Sequence, residues 1–99
     1  MLNIEKHING DEATVILEGR LDTTTAPQLE NELKSFMESV TSLVFDFEKL
    51  EYISSAGLRV LLTAQKFMSK KGSMKLIHVR EDVNEIFDVT GFSDILTIE

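Results

Sequence analysis

The sequence predicts an α/β domain, a single mixed β-sheet with helices packed on it, in the order β-β-α-β-α-β-α-β. Three observations carry this. A hairpin-type turn, Asn9-Gly10-Asp11, separates two short β-prone runs near the start. Two apolar runs, at 42–47 and 74–79, flank a helix-length amphipathic stretch, the layout of a right-handed parallel crossover. No linker, internal repeat or low-complexity tract interrupts the chain, so residues 1–99 read as one domain.

Each element has its own signal. Leu2 to His7 alternates weakly, and Ala13 to Glu18 carries β-branched Thr14, Val15 and Ile16. Thr25-Ala26-Pro27-Gln28 has the form of a helix start, with Thr25 as cap, Gln28 completing a capping box and Pro27 tolerated in the first turn. Leu29, Leu33, Phe36 and Val40 then fall on one helical face. Ser42 to Phe47 reads as a strand buried on both faces. A second helix is expected from Ser55 to Lys71, stopped by Gly72. Its apolar surface is wide: Leu58, Leu61, Leu62, Gln65 and Met68 mark one face, and Val60, Ala64 and Phe67 another. Met74 to Val79 is the next strand. Glu81-Asp82 opens a short helix with acids at its positive end, Val83, Ile86 and Phe87 form its stripe, and Gly91 ends it. Ile95 to Ile98 is expected as a last edge strand.

Composition narrows the function. With 42% hydrophobic and 27% charged residues the chain is globular rather than disordered. No apolar run approaches the roughly 20 residues of a membrane helix, and Met1-Leu2-Asn3-Ile4-Glu5 lacks the basic start and apolar stretch of a signal peptide. Cysteine is absent, which excludes disulfides and thiolate metal sites. Together these favour the cytoplasm and no direct membrane insertion. The net charge of −7 argues against nucleic acid as a partner, because phosphate binding needs clustered Lys and Arg. His7 and His78 have no ligand-like spacing, so no metal is expected. Phosphate-binding glycine loops and a G-x-S-x-G elbow are both missing, and neither serine of the central segment has a convincing histidine partner. The chain reads as a binding protein and not an enzyme, with no cofactor.

Two polar segments are the candidate sites. In Tyr52-Ile53-Ser54-Ser55-Ala56-Gly57-Leu58-Arg59 two serines stand where a helix begins. The everyday role of serine there is capping, worth about 1 kcal/mol. The functional role is phosphate acceptance, since a helix N-terminus offers free N–H donors and a positive dipole end. Gly57 serves either a close backbone approach or a relaxed helix start. Arg20-Leu21-Asp22-Thr23-Thr24-Thr25 is the second segment, either turn and capping chemistry or one surface shared with the serines.

These residues resemble the STAS family, in particular bacterial anti-sigma factor antagonists. The likeness covers nearly the whole chain and is carried by Gly19-Arg20-Leu21-Asp22, by Tyr52 to Leu58, and by Ile86-Phe87-Asp88-Val89-Thr90-Gly91-Phe92. It implies a STAS-like fold and a partner switch. The unphosphorylated antagonist sequesters an anti-sigma factor that is also a serine kinase, which frees a sigma factor for transcription. Phosphorylation by that kinase releases the antagonist, and a serine phosphatase resets it. The ATP belongs to the partner. By position the acceptor is Ser55, with Ser54 the alternative. Asp22, Thr23, Thr24, Ser54, Ala56, Gly57, Leu58 and Arg59 are the partner-binding candidates. Two positions depart from the family pattern: Ser54 stands where aspartate is usual, and Ala56 where serine or threonine is common. A monomer is the favoured state. The competing readings are a non-phosphorylated STAS accessory subunit of a membrane transporter and a small-nucleotide binder or enzyme.

Overall fold

The structure, a computed structural model, describes residues 2–99. The expected hairpin forms from β1 (Leu2–Asn9) and β2 (Glu12–Leu21), antiparallel, with Gly10 at φ +64° in the turn. Helix α1 (Ala26–Lys34) and a 3₁₀ turn (Met37–Ser39) lead to β3 (Ser42–Ile53), which pairs parallel with β2. Helix α2 (Ser55–Ser69) crosses to β4 (Ser73–Ile77), parallel to β3. Helix α3 (Glu81–Thr90) and a 3₁₀ turn (Phe92–Asp94) close the chain. The sheet order is β1-β2-β3-β4, and the mixed sheet with three helices is the fold that the sequence predicts.

The core lies on one face of the sheet. Ala13, Val15 and Leu17 of β2, Leu43, Phe45 and Phe47 of β3, and Met74 and Leu76 of β4 point to it. There they meet Leu29 and Leu33 of α1, Leu58, Leu61, Ala64 and Met68 of α2, and Val83 and Phe87 of α3. The Phe47 and Phe87 rings stand 6.4 Å apart, which ties α3 to the middle of the sheet.

Several expectations are corrected. β3 is not covered by helices on both faces: Val44, although only 7% exposed, stands outside the core cluster beside Thr14 and Lys75, screened by its strand neighbours. β3 also runs on to Ile53, through residues expected as loop. Register shifts in its pairing, between Ile16 and Glu18 and again between Gly19 and Arg20, take up the extra residues. Those bulges keep Leu50 and Ile53 inward at a spacing of three, which hides the strand's period of two. The last edge strand shrinks to a bridge between Leu76 and Ile98. Helix α1 stops at Lys34, and Phe36 and Val40 reach the core from the turn beyond it.

The capping roles differ as well. Thr25 makes no side-chain cap bond; its hydroxyl accepts from the Asp22 N–H (2.8 Å) and donates to the Arg20 carbonyl (2.9 Å). Gln28 donates instead to the Leu2 carbonyl (3.1 Å). Gly91 ends α3 as expected, at φ +81°. Helix α2 ends at Ser69, and Gly72 serves a different purpose: a Cβ there would sit 1.8 Å from the Thr41 carbonyl oxygen. Its lack of a side chain lets the crossover enter β4 tight against the start of β3, where the Ser73 N–H donates to the same carbonyl.

Candidate functional site

The two polar segments meet because β2 and β3 are parallel and end together. Leu21 pairs with Ile53, and the Ser54 N–H donates to the Leu21 carbonyl at 2.9 Å. The loops that follow therefore emerge side by side at the carboxyl ends of the strands, the usual place for a site in an α/β sheet.

Asp22 organises the first loop. Its Oδ1 accepts from the Thr24 N–H (3.0 Å), the Thr24 hydroxyl (2.7 Å) and the Thr25 N–H (3.1 Å). The Asp22 carbonyl takes the Ala26 N–H at 2.8 Å, so Asp22 performs the helix-start work expected of Thr25. These bonds stabilise the carboxylate, the Thr24 hydroxyl most, and hold its pKa below the ordinary value against partial burial. Thr23 and Thr24 are exposed.

The second loop separates the two serines. Ser54 is the cap of α2: extended, half-buried, its hydroxyl accepting from the Gly57 N–H at 3.4 Å. Ser55 is the first helical residue, is exposed, and its hydroxyl makes no hydrogen bond among the described residues. Arg59 is exposed one turn further on, and Ala56 is half-buried. Gly57 and Leu58, read from sequence as partner-binding, are buried and offer a partner no side-chain surface. They position the loop. A Cβ on Gly57 would come 2.7 Å from Leu21 Cγ and 2.9 Å from Ile53 Cγ1, so close backbone approach is the reason for this glycine.

The structure adds neighbours that sequence reading missed. The Arg20 guanidinium lies 4.4 Å from the centre of the Tyr52 ring and its Nε 4.0 Å from Asp22 Oδ2. Arg20 and Tyr52 are register partners, and both turn outward because Leu21 and Ile53 beside them turn in. That parity was the available signal. Thr23, Pro27 and Glu30 line a shallow cleft of about 200 Å³ with Ala56, Arg59 and Thr63; only the packing of α1 on α2 brings these together. Among the described residues no group of three or more His, Asp or Glu is arranged to hold a metal, and no helix is long and apolar enough to cross a membrane.

Comparison with known proteins agrees with this fold. The STAS domain family model matches residues 3–99. The anti-sigma-B factor antagonist of Bacillus subtilis is 31% identical over 98 residues, covering 98% of this chain and 90% of that protein. A crystal structure of an anti-sigma factor antagonist from Mycobacterium paratuberculosis superposes with a TM-score of 0.88 at 20% identity, covering 99% of this chain and 85% of that one. The Bacillus cell fate determinant SpoIIAA in its phosphorylated form gives a TM-score of 0.74 at 19% identity, covering 100% of this chain and 91% of that one.

Proposed function

This chain belongs to the STAS domain family, and we propose that it is an anti-sigma factor antagonist switched by phosphorylation of Ser55. In this reading the unmodified chain, working in the cytoplasm, sequesters an anti-sigma factor that is also a serine kinase, and so frees a sigma factor. The kinase marks Ser55 with phosphate from its own ATP, the complex dissociates, and a serine phosphatase restores the hydroxyl. The chain itself acts by binding and not by catalysis.

The observation that carries the reading is the division of labour between the serines. Ser54 is half-buried and engaged as a cap, whereas the Ser55 hydroxyl is exposed and uncommitted. A phosphate on Ser55 would meet the free N–H groups of the first turn of α2, so it leaves the fold intact. Its effect falls on whatever docks over Asp22, Thr23, Thr24, Ser54, Ala56 and Arg59. Taking −1.5 to −2 charges into an interface built for a neutral hydroxyl costs several kcal/mol, and about 2.8 kcal/mol is a hundredfold in affinity. No conformational change is required. The relatives named above are antagonists, which favours this reading over a transporter subunit.

The test is capture from lysate of the source cells with native, Ser55→Ala and Ser55→Asp chains as bait, read by mass spectrometry. A kinase-type anti-sigma factor held by native and Ala baits and lost with Asp is the expected result. Equal capture by all three removes Ser55 from the switch. Transporter subunits on every bait, with no phosphate on the native chain, would replace the reading altogether.

A further inference from the structure

We propose that Arg59 is the intramolecular counter-cation of a phosphate on Ser55, so that modification adds negative charge to the docking surface and withdraws a positive charge from it. The inference rests on the reading of Ser55 given above.

Most cations of this molecule are already engaged. Lys6 pairs with Glu32, Lys34 with Glu30, Lys75 with Glu99 and Arg80 with Asp82. Arg20 is held between Asp22 and Tyr52, and Lys71 donates to the Met37 and Glu38 carbonyls. Arg59 has no carboxylate within 4.0 Å and no aromatic ring beneath it among the described residues. Lys49, Lys66 and Lys70 are also unpaired among the described residues, but Lys49 stands opposite Glu18 within the sheet and the other two lie at the far end of α2. Among the described residues Arg59 is thus the one unpaired cation on the first two turns of α2.

Its position follows from helix geometry. Ser55 and Arg59 are four residues apart in α2 and both are exposed, so they share the outer face with Cβ atoms about 5–6 Å apart. Side chains on a helix lean toward its N-terminus, which carries the guanidinium over the turn that Ser55 begins. A planar guanidinium meets a phosphate through two parallel N–H···O bonds, the strongest pairing open to either group. The carboxylates nearby do not compete. Glu30 lines the cleft beside Arg59 but faces Lys34 at 3.8 Å, and Asp22 is occupied by Thr24, Thr25 and Arg20.

Two consequences follow for the switch. Before modification Arg59 is an exposed cation free to meet a carboxylate on the partner. Afterwards it turns to its own phosphate, and the partner faces both a new anion and a lost contact.

The experiment uses the full chain prepared with phosphoserine installed chemically at position 55, as native, Arg59→Gln and Arg59→Lys. Phosphorus NMR follows the second ionisation of the phosphate, and nitrogen-15 NMR follows the Arg59 Nε–H. The native midpoint is expected about 0.3 pH unit below that of Arg59→Gln, with Arg59→Lys between them and the gap closing in about 1 M salt. The Nε–H resonance moves with the same midpoint. Equal midpoints in native and Gln chains, or an Nε–H resonance that ignores the phosphate, overturns the proposal. Because no kinase is used, this outcome is independent of whether cells modify Ser55, which the lysate capture decides.

Discussion

Ser54 and Ser55 are neighbours of the same chemistry with different physical duties. Ser54 caps α2 and Ser55 does not. Ser54→Ala is therefore expected to lower stability by about 1 kcal/mol in urea unfolding, while Ser55→Ala leaves the midpoint within about 0.5 kcal/mol of the native chain. The capture experiment should rank the two the other way. Asp22 adds a pH signature. Its carboxyl is held below the ordinary value in the fold, chiefly by the Thr24 hydroxyl, so the ionised form is favoured by folding. The stabilisation is fully present above the unfolded value of about 4 and is lost as pH falls through the depressed folded value. As pH falls below about 4 the urea midpoint of the native chain should fall more steeply than that of Asp22→Asn. Parallel curves would mean that the Asp22 bonds do not survive in solution.

At the scale of elements, the joints matter more than the bodies. The second crossover passes through Gly72, whose pro-side-chain space is filled by the Thr41 backbone, an obstacle that cannot swing away as a side-chain tip can. Gly72→Ala is expected to destabilise the domain by about 3 kcal/mol or more, measured by urea unfolding, with amide exchange accelerated first in β4. At the other end of α2, Gly57 lets the helix sit directly on Leu21 and Ile53. This contact sets the height of Ser55 above the sheet. Lys71 fastens the far end of the same helix by donating to the Met37 and Glu38 carbonyls, which the 3₁₀ turn leaves open. The helix that carries Ser55 is thus pinned at both ends.

The whole molecule is a two-layer structure, with three helices on one sheet face and the opposite face open. Its largest core side chains, Phe45, Phe47 and Phe87, are fully buried in a row from β3 to α3. Phe87→Ala should cost about 3–5 kcal/mol in global stability and leave the loops around Ser55 unchanged in NMR chemical shift at low temperature. A shift confined to those loops would reveal coupling between the core under α3 and the loop that holds Ser55. Charge is unevenly spread: residues 80–99 hold six acids and one base, a net −5 of the total −7. The other 79 residues together carry only −2.

The sequence by itself determined the element order as far as α3, the hairpin turn, the candidate loops and the family, because turn chemistry, hydrophobic period and local spacing are written in adjacent residues. Asn9-Gly10-Asp11, the Gly91 helix stop and the serines at the head of α2 are all local facts of this kind. Tertiary structure alone decided the rest. The bulges that carry β3 to Ile53 exist because a longer strand must pair with β2, and pairing is non-local. Whether Gly57 and Gly72 are free or crowded depends on Leu21, Ile53 and Thr41, which are distant in sequence. Which serine caps and which is left open is fixed by the hydrogen bond from Ser54 to the Leu21 carbonyl, 33 residues back along the chain.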